Sequence, residues 1–113
     1  MKLTIIEQND EVTHVALSGR LDVEGVEAVG REFDAAVGAQ GVSAVVDLSG
    51  ITFLASMGLG LLLRNSTILG KSGARLVVLG PVTLVEEVLR IAGLDQITPV
   101  ARDMNEAMAL VRR

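Results

Sequence analysis

One stretch of the chain, residues 47–64 with the sequence DLSGITFLASMGLGLLLR, constrains the fold more than any other. It predicts the end of a buried strand, a short loop and the start of a largely buried helix, because the apolar run at residues 42–48 is typical of a strand covered on both faces. Ser56 falls where the loop becomes the helix. We therefore predict that Ser56 is the helix N-cap, where free backbone N–H groups also suit a phosphate.

The rest of the chain alternates between strand and helix patterns. Five segments have the composition of strands, at residues 1–7, 12–18, 42–48, 75–79 and 97–100. The first two flank four polar residues and predict a hairpin. Apolar residues three or four apart predict helices that begin near Asp22, Ser56, Pro81 and Asp103. The sum is one α/β domain over residues 1–113, with a mixed sheet of about five strands and about four helices.

Charge and composition exclude several classes of partner. The sequence carries 10 basic and 14 acidic residues, a formal net charge of −4. This balance argues against nucleic acid, since binding to a phosphate backbone requires a basic stripe. The longest uncharged run, residues 48–63, is shorter than the roughly 20 residues of a membrane-spanning helix, so we predict no membrane insertion. The absence of cysteine and of a signal-peptide pattern favours the cytoplasm.

The motifs of catalysis and cofactor binding are incomplete in this sequence. The only histidine, His14, lies in the middle of a predicted strand, and no spacing places it beside Ser56. Gly58 and Gly60 resemble the start of a dinucleotide fingerprint, but Leu63 occupies its third glycine position. We therefore predict no enzyme activity, no metal and no cofactor, and we interpret both glycines as sites of close helix-to-sheet packing.

Three stretches resemble the STAS domain family, and in particular the small anti-sigma factor antagonists of bacteria. The sequence LSGRLD at residues 17–22 resembles the family's G-x-L-D segment, and VVDLSGITF at residues 45–53 resembles its central strand and loop. The sequence LASMGLG at residues 54–60 resembles the signature D-S-S/T-G-L-G. The order and length of the elements also fit, so the resemblance implies the STAS fold over nearly the whole chain.

The resemblance also implies a phosphorylation switch. Ser56 falls on the acceptor position. An anti-sigma factor with serine kinase activity would phosphorylate this residue, and a PP2C-type phosphatase would remove the phosphate. The unphosphorylated form would sequester that anti-sigma factor. The implied partner-binding residues are those of the signature and of the loop aspartate, namely Asp22, Ala55, Ser56, Met57, Gly58 and Leu59.

Two positions depart from the signature and keep a second function open. Ala55 stands at the aspartate position, and Met57 replaces the second hydroxyl residue. Such signatures are also compatible with a constitutive STAS accessory subunit of a transporter, for example a partner of a lipid-transport ABC ATPase, in which Ser56 is a cap and contact residue. For either function we predict a monomer or a weak dimer, with residues 3–7 as the exposed edge.

Overall fold

The computed structural model describes residues 1–112; Arg113, the last residue of the predicted domain, lies outside the described residues. Five strands are present, β1 Lys2–Gln8, β2 Val12–Leu21, β3 Ser43–Leu54, β4 Leu76–Leu79 and β5 Val100–Ala101. Four α-helices alternate with the later strands, α1 Val23–Ala36, α2 Ser56–Lys71, α3 Thr83–Ile91 and α4 Met104–Val111. Short 3₁₀ turns follow α1 and α3, at Gly38–Gln40 and Leu94–Gln96. The predicted α/β class is confirmed.

The five strands form one mixed sheet in the order β1-β2-β3-β4-β5. β1 and β2 are antiparallel, which confirms the predicted hairpin, and every later pair is parallel. Helices connect the parallel pairs because the chain must return to the same end of the sheet before each new strand. β1 and β5 are therefore the two edge strands, and β3 lies in the centre.

Two hydrophobic cores lie on the two faces of the sheet. The larger core packs α1, α2 and α3 on one face around the fully buried Phe33, and the smaller core packs α4 on the other. Neighbouring residues of β3 point alternately into them, Val46 into the larger and Val45 into the smaller core. This double burial is the physical reason for the continuous apolar run in the sequence.

The strands β2 and β3 are longer than the sequence predicts. β2 was expected to end at Ser18 and β3 at Leu48, but they continue to Leu21 and Leu54. The two extensions pair with each other beyond the end of β4, after register shifts between Ala16 and Ser18 and between Gly19 and Arg20; Gly19 has a positive φ of 110°. The predicted loop before α2 is therefore wrong, since only Ala55 separates β3 from that helix.

The C-terminal part of the fold follows the predicted order with shifted boundaries. The last strand is only Val100–Ala101, because the second 3₁₀ turn at Leu94–Gln96 is followed by residues whose N–H groups bond back to it: Ile97 N–H and Thr98 N–H donate to Leu94 O at 3.0 and 2.8 Å. α4 begins where predicted: its N-cap is Asp103, whose side chain accepts a hydrogen bond from Glu106 N–H at 2.9 Å.

Candidate functional site

The paired ends of β2 and β3 bring the predicted site residues to one end of the sheet. Leu21 is buried beside Leu54, and Ala55 N–H donates to Leu21 O at 3.2 Å. Asp22 follows Leu21 directly and starts α1, while Ser56 follows Ala55 directly and starts α2. The starts of two helices therefore meet at this end of the sheet.

Ser56 is the first helical residue of α2, so the prediction that it is the N-cap is wrong. The N-cap is Ala55, which is still extended (φ −116°, ψ 178°) and whose carbonyl accepts the first helical hydrogen bond, from Leu59 N–H at 3.0 Å. The helix starts here because Ala55 is the last residue held to β2. Among residues 1–112, no side chain makes a capping hydrogen bond to this helix. Ser56 is exposed, next to a turn whose N–H groups carry partial positive charge.

Gly58 fixes the first turn of α2 against the sheet. A Cβ atom at this position would lie 2.6 Å from Leu21 O and 2.8 Å from a methyl carbon of Leu54, so only glycine allows this approach. The interpretation of close packing is confirmed for Gly58. It is wrong for Gly60, whose Cβ would meet no atom within 4 Å beyond its chain neighbours and the backbone of its own helix.

Much of the outer face of α2 is apolar and exposed, so the prediction of a largely buried helix is wrong. Met57 is 50% exposed and Leu63 is 40% exposed, whereas Leu59 is half-buried. The helix lies on the surface of the larger core with no element above it among residues 1–112. Beside its start, a small apolar hollow of about 100 Å³ is lined by residues of β3 and α3, namely Phe53, Leu54, Leu84, Val85 and Val88.

The carboxylate of Asp22 is held by two donors at the start of α1. Its Oδ1 accepts a hydrogen bond from Gly25 N–H at 2.9 Å, and its Oδ2 accepts one from Arg20 Nε at 3.3 Å. These donors, the backbone N–H first, hold the pKa of Asp22 below its usual range. The guanidinium of Arg20 also lies over the Phe53 ring, 4.2 Å from its centroid, a cation–π contact between β2 and β3.

The structure groups all six predicted partner-binding residues at this end of the sheet. We call the patch formed by Asp22, Ala55, Ser56, Met57, Gly58 and Leu59 the Ser56 surface. No sequence pattern predicts the contact between Arg20 and Phe53 next to it. Only the pairing register, which sets Arg20 opposite Phe53, brings these two side chains together; their spacing in the sequence carries no signal for it.

In the part of the chain that the structure describes, neither the histidine nor a group of metal-binding side chains lies at the Ser56 surface. His14 pairs with Val45, near the opposite end of β3 from Leu54, so it lies far from Ser56. Among residues 1–112, no three His, Asp or Glu side chains are grouped closely enough to hold a metal ion. None of the helices in that range has the length and apolar character to cross a membrane.

A family model described as Mlab, STAS domain matches residues 5–102, which include both strand ends and the start of α2. The chain belongs to the STAS domain family. The resemblance inferred from residues 17–22, 45–53 and 54–60 is thereby confirmed. No curated protein matches this STAS domain significantly.

Solved structures place the STAS domain among anti-sigma factor antagonists. An anti-sigma factor antagonist from Mycobacterium paratuberculosis is 31% identical with a TM-score of 0.80, covering 99% of this chain and 96% of that chain. The anti-sigma factor antagonist SpoIIAA in its unphosphorylated form is 25% identical with a TM-score of 0.79, covering 98% of this chain and 96% of that chain. These neighbours support anti-sigma factor antagonist as the general type of this STAS domain.

The same fold also occurs as a part of a much larger transporter. The murine anion transporter Slc26a9 is 19% identical over 94% of this chain, with a TM-score of 0.77, but the match covers only 18% of that chain. At this identity the likeness shows the STAS fold alone. The fold is thus found both in anti-sigma factor antagonists and within a transporter.

Proposed function

We propose that this STAS domain, taken as residues 1–113, is a cytoplasmic, non-enzymatic anti-sigma factor antagonist. It sequesters an anti-sigma factor with serine kinase activity while Ser56 is unphosphorylated, and a PP2C-type phosphatase restores that state. The observation that carries the proposal is the exposed position of Ser56 at the uncapped start of α2. A kinase can reach this hydroxyl without unfolding the helix.

A phosphate on Ser56 would change the surface more than the fold. It adds about −1.5 to −2 charges at pH 7, and a negative charge in the first helical turn is favoured by the free N–H groups and the helix dipole. The nearby Asp22 carboxylate adds to the negative potential facing a partner. Binding is then weakened by like charge and by the cost of desolvating the phosphate when the partner docks.

The exposed apolar side chain of Met57 supports direct protein binding by the same surface. Apolar side chains at the centre of an interface contribute most of its affinity, whereas charges at the rim mainly set specificity. Met57 lies directly beside Ser56, so a phosphate would introduce charge at the centre of the contact. Solved structures of SpoIIAA in its unphosphorylated form and of Bacillus SpoIIAA in its phosphorylated form support the same type of control.

The experiment compares Ser56→Asp with the uncharged, nearly isosteric Ser56→Asn. Calorimetry measures the affinity of each variant for the ATP-binding kinase that copurifies with the wild type. Mass spectrometry of the intact native protein shows whether it is phosphorylated. We expect a phosphorylated species and at least a tenfold loss of affinity for Ser56→Asp alone. Equal affinities for the two variants would reject the electrostatic switch.

A second candidate function is the constitutive accessory subunit of a transporter, docking on its cytoplasmic ATPase. The features that favour it are Ala55 and Met57, since the position next to the acceptor lacks a carboxylate and the exposed face gains an apolar side chain. In this case both Ser56 variants copurify with a transporter ATPase, Met57→Ala loses it, and no phosphorylated species is present.

A further inference from the structure

The outer edge of the sheet is an open strand. β1 pairs on one side only, and every residue of it except the half-buried Leu3 is exposed. Such a strand leaves unpaired N–H and C=O groups along its free side. Ile5 and Ile6 are 46% and 53% exposed there. The edge therefore offers both backbone hydrogen bonds and apolar surface to another strand.

The register with β2 assigns the side chains of β1 to two faces. Leu3 and Ile5 lie on the face of the larger core, because their partners on β2 are residues of that core. Lys2, Thr4 and Glu7 lie on the opposite face, because their partners on β2 alternate with those core residues. Only side chains on the same face can meet when a new strand pairs with this edge.

The charges of β1 complement those of a second β1 strand. Lys2 lies near one end of the strand and Glu7 near the other, on the same face, and neither forms an ion pair within residues 1–112. Two antiparallel copies related by a two-fold axis would bring each Lys2 to the Glu7 of the other copy. The pattern is therefore self-complementary, as a two-fold interface requires.

The bulge in β1 is compatible with such a pairing when it is centred on Thr4. Ile6 is an extra residue without a partner on β2, between Ile5 and Glu7. When Thr4 faces the Thr4 of the second copy, Leu3 lies opposite Ile5 on the same face. Lys2 then lies opposite the bulged pair Ile6–Glu7, with its ammonium group on the face of the carboxylate. No residue is forced onto the wrong face.

We infer that this chain forms a two-fold dimer through antiparallel pairing of β1 with the β1 of a second copy, Thr4 facing Thr4. The pairing joins two five-stranded sheets into one continuous sheet and covers Ile5 and Ile6. A single added strand buries less than the roughly 1,200 Å² of a stable complex, so the dimer forms at high protein concentration. The inference uses no residue of the Ser56 surface and is independent of the proposed function.

A charge-reversal series tests the register. Sedimentation equilibrium of the wild type, in a concentration series up to about 1 mM, is expected to show a monomer–dimer equilibrium. Lys2→Glu and Glu7→Lys each place like charges together twice, and each should raise the dimer Kd about tenfold. The double variant restores both pairs and should return to the wild-type Kd. Lys71→Glu, at the exposed end of α2, controls for the change in net charge.

Cysteine cross-linking tests the two-fold contact directly, since the chain has no cysteine of its own. Under mild oxidation Thr4→Cys should form a covalent dimer much faster than Ala109→Cys, an exposed control on α4. Matching unfolding midpoints would verify that the variants are folded. The inference would be overturned if the wild type stayed monomeric over the whole concentration series. It would also be overturned if Lys2→Glu left the dimer Kd unchanged, or if the two cysteine variants cross-linked at equal rates.

Discussion

At the scale of single residues, Ala55 leaves the first turn of α2 without a side-chain acceptor. Its backbone is already in the extended conformation of an N-cap. We expect Ala55→Asp to stabilise the protein by about 1 kcal/mol, because the new carboxylate accepts a hydrogen bond from the first turn and favours the helix dipole. Urea unfolding measures the change in free energy.

The uncharged variant Ala55→Asn separates the two causes of this gain. Asparagine caps about as well as aspartate but carries no charge. A gain in both variants identifies the hydrogen bond, and a gain in Ala55→Asp alone identifies the dipole. No gain in either would mean that the first turn of α2 does not need a side-chain cap.

Gly58 and Gly60 form a matched pair in the same helix. Gly58→Ala should destabilise the protein by about 1–2 kcal/mol, because its Cβ would lie 2.6 Å from Leu21 O and overpack the junction. Gly60→Ala should stabilise it by about 0.5–1 kcal/mol, because the exposed helical position has room and alanine has the higher helix propensity. Thermal or urea unfolding of the two variants should therefore give opposite signs, and equal effects would contradict the packing at Gly58.

The N-cap of α2 is Ala55 and not Ser56, one residue from the predicted position. This difference shows how closely a sequence pattern can locate the start of a helix. The hydroxyl, the apolar run after it and the resemblance predict Ser56 at the start of α2, where the structure has it. They could not locate the cap, because helix starts depend on where the preceding strand stops pairing. Here the hydrogen bond between Ala55 and Leu21 decides it, and that contact joins residues 34 positions apart.

At the scale of elements, the start of α1 depends on the charge of Asp22. Gly25 N–H and then Arg20 favour its ionised form and lower its pKa in the folded state. A carboxyl with a lowered pKa stabilises the fold above its ordinary pKa of about 3.9, and this contribution is lost as the pH falls through the lowered folded value. The stability difference between wild type and Asp22→Asn should therefore be full near pH 6 and vanish in strong acid.

Denaturant unfolding at a series of pH values measures this difference. Asp22→Asn keeps an acceptor for Gly25 N–H, so it removes the charge with little change in the cap. Asp10→Asn, in the exposed turn between β1 and β2, is the control for removal of one negative charge elsewhere. A difference for Asp22→Asn that persists unchanged into strong acid would contradict the role of the ionised carboxylate.

Element lengths were predicted well where local pattern decides them and poorly where pairing does. The helices α1 and α4 start at Asp22 and Asp103 as expected, because side-chain caps are local signals. The extensions of β2 and β3 contain glycine and polar residues that do not resemble a buried strand. They are strands because they pair with each other, which no window of neighbouring residues reveals.

At the scale of the whole molecule, the alternation of strands and helices was enough to predict the α/β class and the mixed sheet. The exposed outer face of α2 was not predictable in the same way. Leu59 and Leu63 are equally apolar, but Leu59 packs against the larger core whereas Leu63 is 40% exposed. An apolar pattern predicts a helix that can be buried. The fraction that is actually buried depends on which other elements pack against that helix.

The order of the strands predicts how stability is distributed over the molecule. β3 pairs on both sides and contributes to both cores through Val45 and Val46, whereas β1 pairs on one side and is exposed. Native-state hydrogen exchange at low protein concentration should therefore show the amides of β3 and β4 exchanging only through global unfolding. The amides of β1 that bond to β2 should exchange through a local opening of much lower free energy.

Raising the urea concentration should lower the exchange free energy of Val46 with the same slope as global unfolding. The exchange free energy of Thr4 or Ile5 should stay nearly constant. Equal slopes would mean that the edge strand opens only with the whole fold, against its exposed position in the sheet.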